Sequence, residues 1–520
     1  MRLFFILLGA ALLSGAQAPV HAAMPDAAAL FKDNCAECHG ANRLGAIGPA
    51  LLPENLRRLR KNKAIQAIAT GRPAVQMPAF GETLSAEEIK ALADFVYTPL
   101  ANVPDWGLVE INASRVVHTA PAQLPTTPQH KADPLNLFTV VETGDHHVTI
   151  LDGDKFEPLW RFKSRFALHG GAKYSPDGRF VYLASRDGWV SKYDLFGFQA
   201  VAEIRVGINT RNIAVSADGR WLAAGNFLPH TLVILDANTM TLAKIIPVVG
   251  KDGTSSRVSA VYTAPPRNSF IAALKDIPEI WEMSYEDNPE PVAKGLIHNY
   301  RAGQEEGVFD RGPFHVRRII LDDYLDDFFF DQSYANLIGT ARNAKNGQVV
   351  NMRVGRKIAD IELSGMPHLG SGITFNYEDR PVMATPHLKD ASISVIDLTS
   401  WKTIKRIETK GPGFFMRSHD NTPYAWTDVF FGPNKDLLHV IDKRTLEIVK
   451  TLNPAPGKTG AHVEFTRDGK FALVSVWDMD GALVIYDAAT FEEVKRIKMV
   501  KPSGKYNVYN KITYSRGTSH

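Results

Sequence analysis

Cysteine is nearly absent from this chain: Cys35 and Cys38 are the only two in 520 residues. A disulfide framework is therefore excluded, because such scaffolds carry many cysteines in few residues. Charge bias is also lacking. Lys and Arg number 59 against 56 Asp and Glu, a formal +3, and no basic arm or tail suits nucleic acid. After the first residues no apolar run reaches the roughly 20 residues that cross a bilayer. At the N-terminus, Met1-Arg2 precedes the apolar run Leu3 to Leu13, and small residues follow at Ala18, Ala22 and Ala23. That pattern predicts a signal peptide over residues 1–23 and no transmembrane segment in the mature protein.

The two cysteines stand together in Cys35-Ala36-Glu37-Cys38-His39. Two thiols at this spacing can add to the vinyl groups of one porphyrin from a single turn, and the next residue offers its imidazole to the iron, so the motif predicts one covalent heme c. A redox dithiol and half a zinc site are the competing uses of CxxC. A zinc finger needs more ligands at close spacing, and none follow. Met77, in the loop-like Gly71 to Phe80, is the candidate sixth ligand, since a thioether opposite an imidazole raises heme potential; core filling is its ordinary use. Helical patterns flank that loop at residues 60–69 and 84–97, the second opened by a capping box of Ser85 and Glu88. Residues 24–100 thus read as an all-α cytochrome c domain that carries single electrons. Attachment of heme c accompanies export in bacteria, which predicts a periplasmic location and a soluble electron acceptor as partner.

Residues 101–135, with Pro104, Pro121, Pro125 and Pro128, read as a linker lying over one domain or the other. From Asn136 the chain becomes short apolar runs with turns. Ser175-Pro176-Asp177-Gly178, Ser216-Ala217-Asp218-Gly219 and Thr466-Arg467-Asp468-Gly469 each precede an apolar strand, and strands ending in Asp close the units at Asp194, Asp236, Asp397 and Asp487. Return of such a unit every 40 to 50 residues is propeller-blade periodicity. Residues 136–520 divide into eight blades of about 48 residues, with seven longer blades also allowed by the arithmetic. A propeller funnel is lined from many blades, so its functional residues are scattered in sequence.

Histidines in glycine-rich or turn settings answer that description: His169 in Leu168-His169-Gly170-Gly171, His368 in Gly365 to Gly372, and His462 in Gly460-Ala461-His462. His315, His387 and His419 form a second tier. Arg211 and Arg417 have the guanidinium that matches a carboxylate bidentately, with salt bridging as the alternative. Tyr506 and Tyr509, near the C-terminus, can donate into the funnel or fasten the last blade. The acidic run Asp322 to Asp327 reads as a solvated loop or strand edge.

Taken with Gly48 to Pro53, Arg165 to Gly171, Ser185 to Trp189, Gly207 to Arg211, Gly365 to Gly372, Gly411 to His419 and Ser503 to Asn510, these motifs resemble the family that joins a cytochrome c domain to a heme d1 propeller. The resemblance covers the whole mature chain and implies heme d1 or dihydro-heme d1 as ligand of the propeller. Within the family, the setting of His462 resembles the members that dehydrogenate a propionate of dihydro-heme d1 to an acrylate, the last step of heme d1 formation. That likeness implies His462 as general base with Tyr506 aiding it, His368 as ligand of the substrate iron with His169 as the alternate or the opposite ligand, and Arg211, Arg417 and His419 as ligand-binding residues. Heme cd-type nitrite reductase is the rival within the family. His368 resembles one of its distal histidines, but the second falls at Pro313-Phe314-His315 without the glycine-rich continuation. A periplasmic heme d1 carrier, with or without transfer to a nitrite reductase, is the non-enzymatic alternative.

Overall fold

The computed structural model describes residues 25–46, 48–57, 59–72, 77–102, 104–299, 304–341, 344–363 and 365–513. The expected signal peptide over residues 1–23 lies outside them. The first domain is built from short helices at Ala27–Asn34, Ala36–His39, Pro53–Leu56, Lys61–Thr70 and Ala86–Val96. The capping box forms as expected: Ser85 N donates to Glu88 Oε2 at 2.8 Å and Glu88 N donates to Ser85 Oγ at 3.2 Å, satisfying amides that have no intrahelical partner. Ile89, Leu92, Ala93 and Val96 then fall on one buried face, where Leu92 and Val96 pack with Phe31 and Leu56. This small core has Cys35 and Phe95 at its margin.

The second domain is a ring of eight antiparallel sheets, each with four strands or, in one case, five. The innermost strands of blades 2 to 8 begin at Lys173, Asn209, Val258, Asp327, Ile373, Met416 and Gly460. Three of the turns that lead out of them are the repeated Asp-Gly pairs. There Gly178, Gly219 and Gly469 take φ of +73°, +72° and +73°, a left-handed conformation that glycine adopts without a Cβ penalty. Blade 1 is closed by a distant segment: strand Pro502–Asn507 pairs antiparallel with Leu137–Glu142, with Thr139 opposite Tyr506 and Val140 opposite Lys505. The ring is thereby sealed by main-chain hydrogen bonds between residues more than 350 positions apart. A two-stranded hairpin, Val292–Asn299 with Gln304–Asp310, projects between the third and fourth strands of blade 4.

Helix Leu108–Ala113 inserts fully buried Ile111 into the core shared by blades 2 and 3, and Val116–Val117 adds the fifth strand to blade 2. The segment acts as a strap rather than a tether. It leaves the cytochrome domain seated on the same two blades, where Ala50 and Leu52 pack against Ile208 and Leu228. Asn55 Nδ2 donates to Ile208 O at 3.0 Å, Asn209 Nδ2 to Glu54 O at 3.2 Å, and Arg205 Nη2 to Leu44 O at 2.5 Å. Among the described residues no helix is long and apolar enough to cross a membrane.

Candidate functional site

In the first domain the motif residues occupy one tight stretch. Cys35 and Cys38 are free thiols bracketing the start of the short helix Ala36–His39. The His39 ring is oriented by its Nδ1, which donates to Pro49 O at 2.8 Å, so Nε2 is left as the metal-ligating nitrogen. Gly48 passes so near that a Cβ there would lie 2.9 Å from His39 Cε1. Burial lowers the His39 pKa and keeps the imidazole in its ligating, neutral form. Met77 is half-buried and pairs through its backbone with Arg72. These residues fit a heme c.

At the funnel, seven of the eight blades contribute side chains to a chain of contacts. The loop before the inner strand of blade 2 carries His169, whose Nδ1 donates to Arg211 O at 2.7 Å while Arg211 Nη1 lies 2.7 Å from Nε2. Arg211, on the inner strand of blade 3, also donates from Nε to Ser259 O of blade 4 at 2.9 Å. His368, in the loop before the inner strand of blade 6, repeats the arrangement of His169: Nδ1 donates to Phe414 O at 2.6 Å. Its Nε2 is 4.0 Å from Asp327 Oδ2 of blade 5, an oxygen that accepts from Gly370 N at 2.9 Å. Burial lowers the His368 pKa, against the raising effects of Asp327 and the Phe414 carbonyl. Both histidines share with His39 a ring Nδ1 tied to a carbonyl, while Nε2 faces Arg211 in His169 and Asp327 in His368.

The remaining third of the funnel holds His462. It lies inside the inner strand of blade 8, Gly460–Phe465, whereas His169 sits in a loop. Its ring is 4.7 Å from Phe415 and 5.4 Å, edge-on, from Tyr506. The residue is 2% exposed, and Nδ1 has no hydrogen-bond partner. An unpaired buried ring nitrogen costs about 1–3 kcal/mol. Burial, then Lys505, Arg417 and Lys511, hold the His462 pKa well below the usual histidine value. Tyr506, pushed up to about 12 chiefly by burial, is a neutral phenol beside it. Gly171, at φ +75°, approaches that phenol so closely that a Cβ would sit 3.0 Å from Tyr506 Cε1, joining the His169 loop to the His462 side.

Beneath these rings is a group of buried charges that sequence reading did not single out. Arg417 Nε is buried without a hydrogen bond and lies 4.0 Å from Glu464 Oε2, which also lies 3.7 Å from Lys511 Nζ. Lys173 is lowered to about 8 and Lys511 to about 7, both mainly by burial and then by Arg417. Arg417 and Lys505 face the carboxylates of both Glu464 and Asp428, and Lys511 faces Glu464. A buried guanidinium whose Nε has no hydrogen bond fits a ligand bearing carboxylates.

Of the other histidines named from the sequence, His419 borders this group through Glu464, and His315 and His387 lie apart from it. His419 lies at the far end of the inner strand of blade 7, against the Asp468-Gly469 turn, with Nδ1 accepting from Asn421 N at 3.1 Å. A separate cleft of 470 Å³ opens beside it, lined by Asn376, Asp420 and Lys443 among others. His315 is 3.3 Å from Asp310 Oδ2 beside the outermost strand of blade 4. His387 is fully buried, with Nε2 bonded to Ser394 Oγ at 2.9 Å. Tyr509 packs under Arg467 in the terminal helix, a fastening role.

A cytochrome c unit strapped to an eight-bladed ring whose funnel offers backbone-anchored histidines, arginines and unpaired buried nitrogens defines the class of cytochrome c–heme d1 propeller proteins. The chain belongs to the cytochrome D1 heme domain family, whose model matches residues 132–302 and 307–511; residues 22–96 match the model of cytochrome C oxidase, cbb3-type, subunit III. Within that class it is 54% identical to the dihydro-heme d1 dehydrogenase of Pseudomonas aeruginosa over 520 residues, 100% of both chains. A solved structure of dihydro-heme d1 dehydrogenase NirN in complex with DHE superposes with a TM-score of 0.87, covering 93% of this chain and 99% of that one at 54% identity. A nitrite reductase of Stutzerimonas stutzeri is 24% identical over 92% of each chain.

Proposed function

We propose that this chain is a dihydro-heme d1 dehydrogenase, which converts a propionate side chain of dihydro-heme d1 to an acrylate and so produces heme d1. The observation that carries the reading is the likeness to a dehydrogenase of that name along the full length of both chains. Forming the new C=C bond breaks two C–H bonds and releases two electrons and two protons. Cys35, Cys38, His39 and Met77 would hold a heme c, which when bound would supply a one-electron acceptor.

The chain's own groups account for binding and proton removal. His368 and His169 are poised as ligands of the substrate iron, each with Nδ1 tied to a carbonyl; for His169 this requires Arg211 Nη1 to leave Nε2. The released Arg211 guanidinium and the buried Arg417 pair with peripheral carboxylates. That pairing fixes the reacting side chain and removes much of the entropic part of the barrier. His462 accepts a proton from the side-chain carbon at its unpaired nitrogen, a role open to an imidazole kept neutral at physiological pH. Tyr506 fixes the edge of the imidazole and keeps its own proton. The distance of His315 from His368's funnel speaks against a nitrite reductase with paired distal histidines. Export by the leader over residues 1–23 places the reaction in the periplasm, where a heme cd-type nitrite reductase is the consumer of the product.

The test is anaerobic incubation of the heme c-containing protein with dihydro-heme d1 and an electron acceptor, followed by mass and spectrum. Loss of two hydrogens from the substrate supports the assignment. Tight binding with no change in mass refutes it and leaves a carrier or a reductase, which turnover with nitrite separates.

A further inference from the structure

The backbone of His462 adopts φ +50° at a bulge where the strand register slips between Ala461 and Val463. A non-glycine residue holds such a conformation only when its surroundings enforce it. Two buried charged side chains do so here. The His462 N–H donates to Asp428 Oδ2 at 3.1 Å. The His462 carbonyl accepts a short hydrogen bond from Lys505 Nζ, which also donates to Ser475 Oγ at 2.9 Å.

Asp428 does more than hold one amide. Its Oδ1 accepts from Phe414 N at 2.7 Å and Phe415 N at 3.0 Å. The Phe414 carbonyl is the acceptor for His368 Nδ1, and the Phe415 ring packs on His462. One carboxylate on the second strand of blade 7 therefore ties the loop that aims His368 to the strand that aims His462. Asp428 is 1% and Lys505 0% exposed. Burying this pair costs free energy that a well-packed apolar pair would not, so stability alone is a poor account of its presence. Charge-assisted bonds at both ends of one peptide do confer a fixed geometry.

We infer that Asp428 and Lys505 are positioning residues for the reaction, a two-sided clamp on the His462 peptide that sets where the imidazole stands relative to His368. The inference rests on the reading of His462 as the base. Misplacing a reacting group by about 1 Å costs about 100-fold in rate, which sets the scale of the expected effect.

The experiment is a double-mutant cycle in the full-length, heme c-containing protein, with turnover and dihydro-heme d1 affinity measured separately. In Asp428→Asn one oxygen still serves the Phe414 and Phe415 amides, while the amide NH2 opposes the His462 N–H. We expect kcat to fall about 30- to 100-fold with affinity changed less than about threefold. In a His462→Ala background the same substitution should cost less than about threefold, because coupled residues are non-additive. Equal losses in both backgrounds, or an unchanged kcat in the first, would overturn the clamp. Should Asp428→Asn fail to fold, Lys505→Met gives the same readout, with recovery in Lys505→Arg expected and its absence counting against the inference. A fully active His462→Ala would instead refute the base assignment itself.

Discussion

Replacing His462 by alanine separates chemistry from architecture, because the structure gives opposite signs to the two costs. Removing the ring loses its packing against Phe415 and Tyr506, an excision worth about 2–4 kcal/mol for a core side chain. It also removes the buried Nδ1 that has no partner, which relieves about 1–3 kcal/mol. The net destabilisation is about 1 kcal/mol, a melting shift of only a few degrees in a chain of this size. Loss of a general base is expected to lower kcat by about 10²- to 10⁴-fold. In the parent enzyme burial, then Lys505, Arg417 and Lys511, hold the His462 pKa well below 6.5. Its base form therefore predominates across neutral pH, and the parent rate stays level on acidification until well below 6.5 before it falls. Tyr506, edge-on to this ring, and Asp428, bonded to the His462 backbone N–H, belong in the fit of that profile. The assay is anaerobic turnover followed by product mass, beside spectral titration with dihydro-heme d1 and a melting curve. Turnover within threefold of the parent, or a loss explained by failure to bind substrate, would refute the reasoning.

Asp187, buried where the cytochrome domain meets blade 2, is raised from 3.8 to about 7, chiefly by burial. The folded state thus binds its proton more tightly than the unfolded chain, and stability falls as pH rises from about 4 to about 7. Asp187→Asn should gain melting temperature relative to the parent between pH 5 and pH 8, and a constant difference would count against this. Met77→His should lower the heme c potential, since the thioether is the ligand that raises it; redox titration measures the shift, and an unchanged potential removes Met77 from the ligand set. Gly171→Ala places a Cβ against Tyr506 at a φ of +75°. It should cost about 1–2 kcal/mol of stability and reduce turnover more than Gly312→Ala, at a site with no atom within 4 Å.

The local signals in the sequence were those whose chemistry depends on neighbours in the chain. The CxxCH motif, the Ser85–Glu88 box and the Asp-Gly turns all declare themselves within a few residues, and the blades follow from their recurrence. His169, His368 and His462 stand out in the sequence as histidines within two residues of a glycine. Asp428, Lys505, Lys511 and Glu464 were not, since each sits in an alternating or turn context where a charge reads as the solvent face. Only ring closure turns those faces inward. The +50° backbone at His462 has no sequence signal, because it comes from partners 34 and 43 residues away.

The strand that closes blade 1 also brings Lys505 and Tyr506 to His462. During synthesis the cytochrome domain emerges first and can take its heme while the ring is still open. The pocket for a reactive tetrapyrrole is assembled only when residues 502–507 dock onto residues 137–142. A chain arrested before that point has seven finished blades but neither the clamp nor the phenol. Catalytic competence is thereby made conditional on complete folding, and a partly folded intermediate can accept electrons without being able to begin the oxidation.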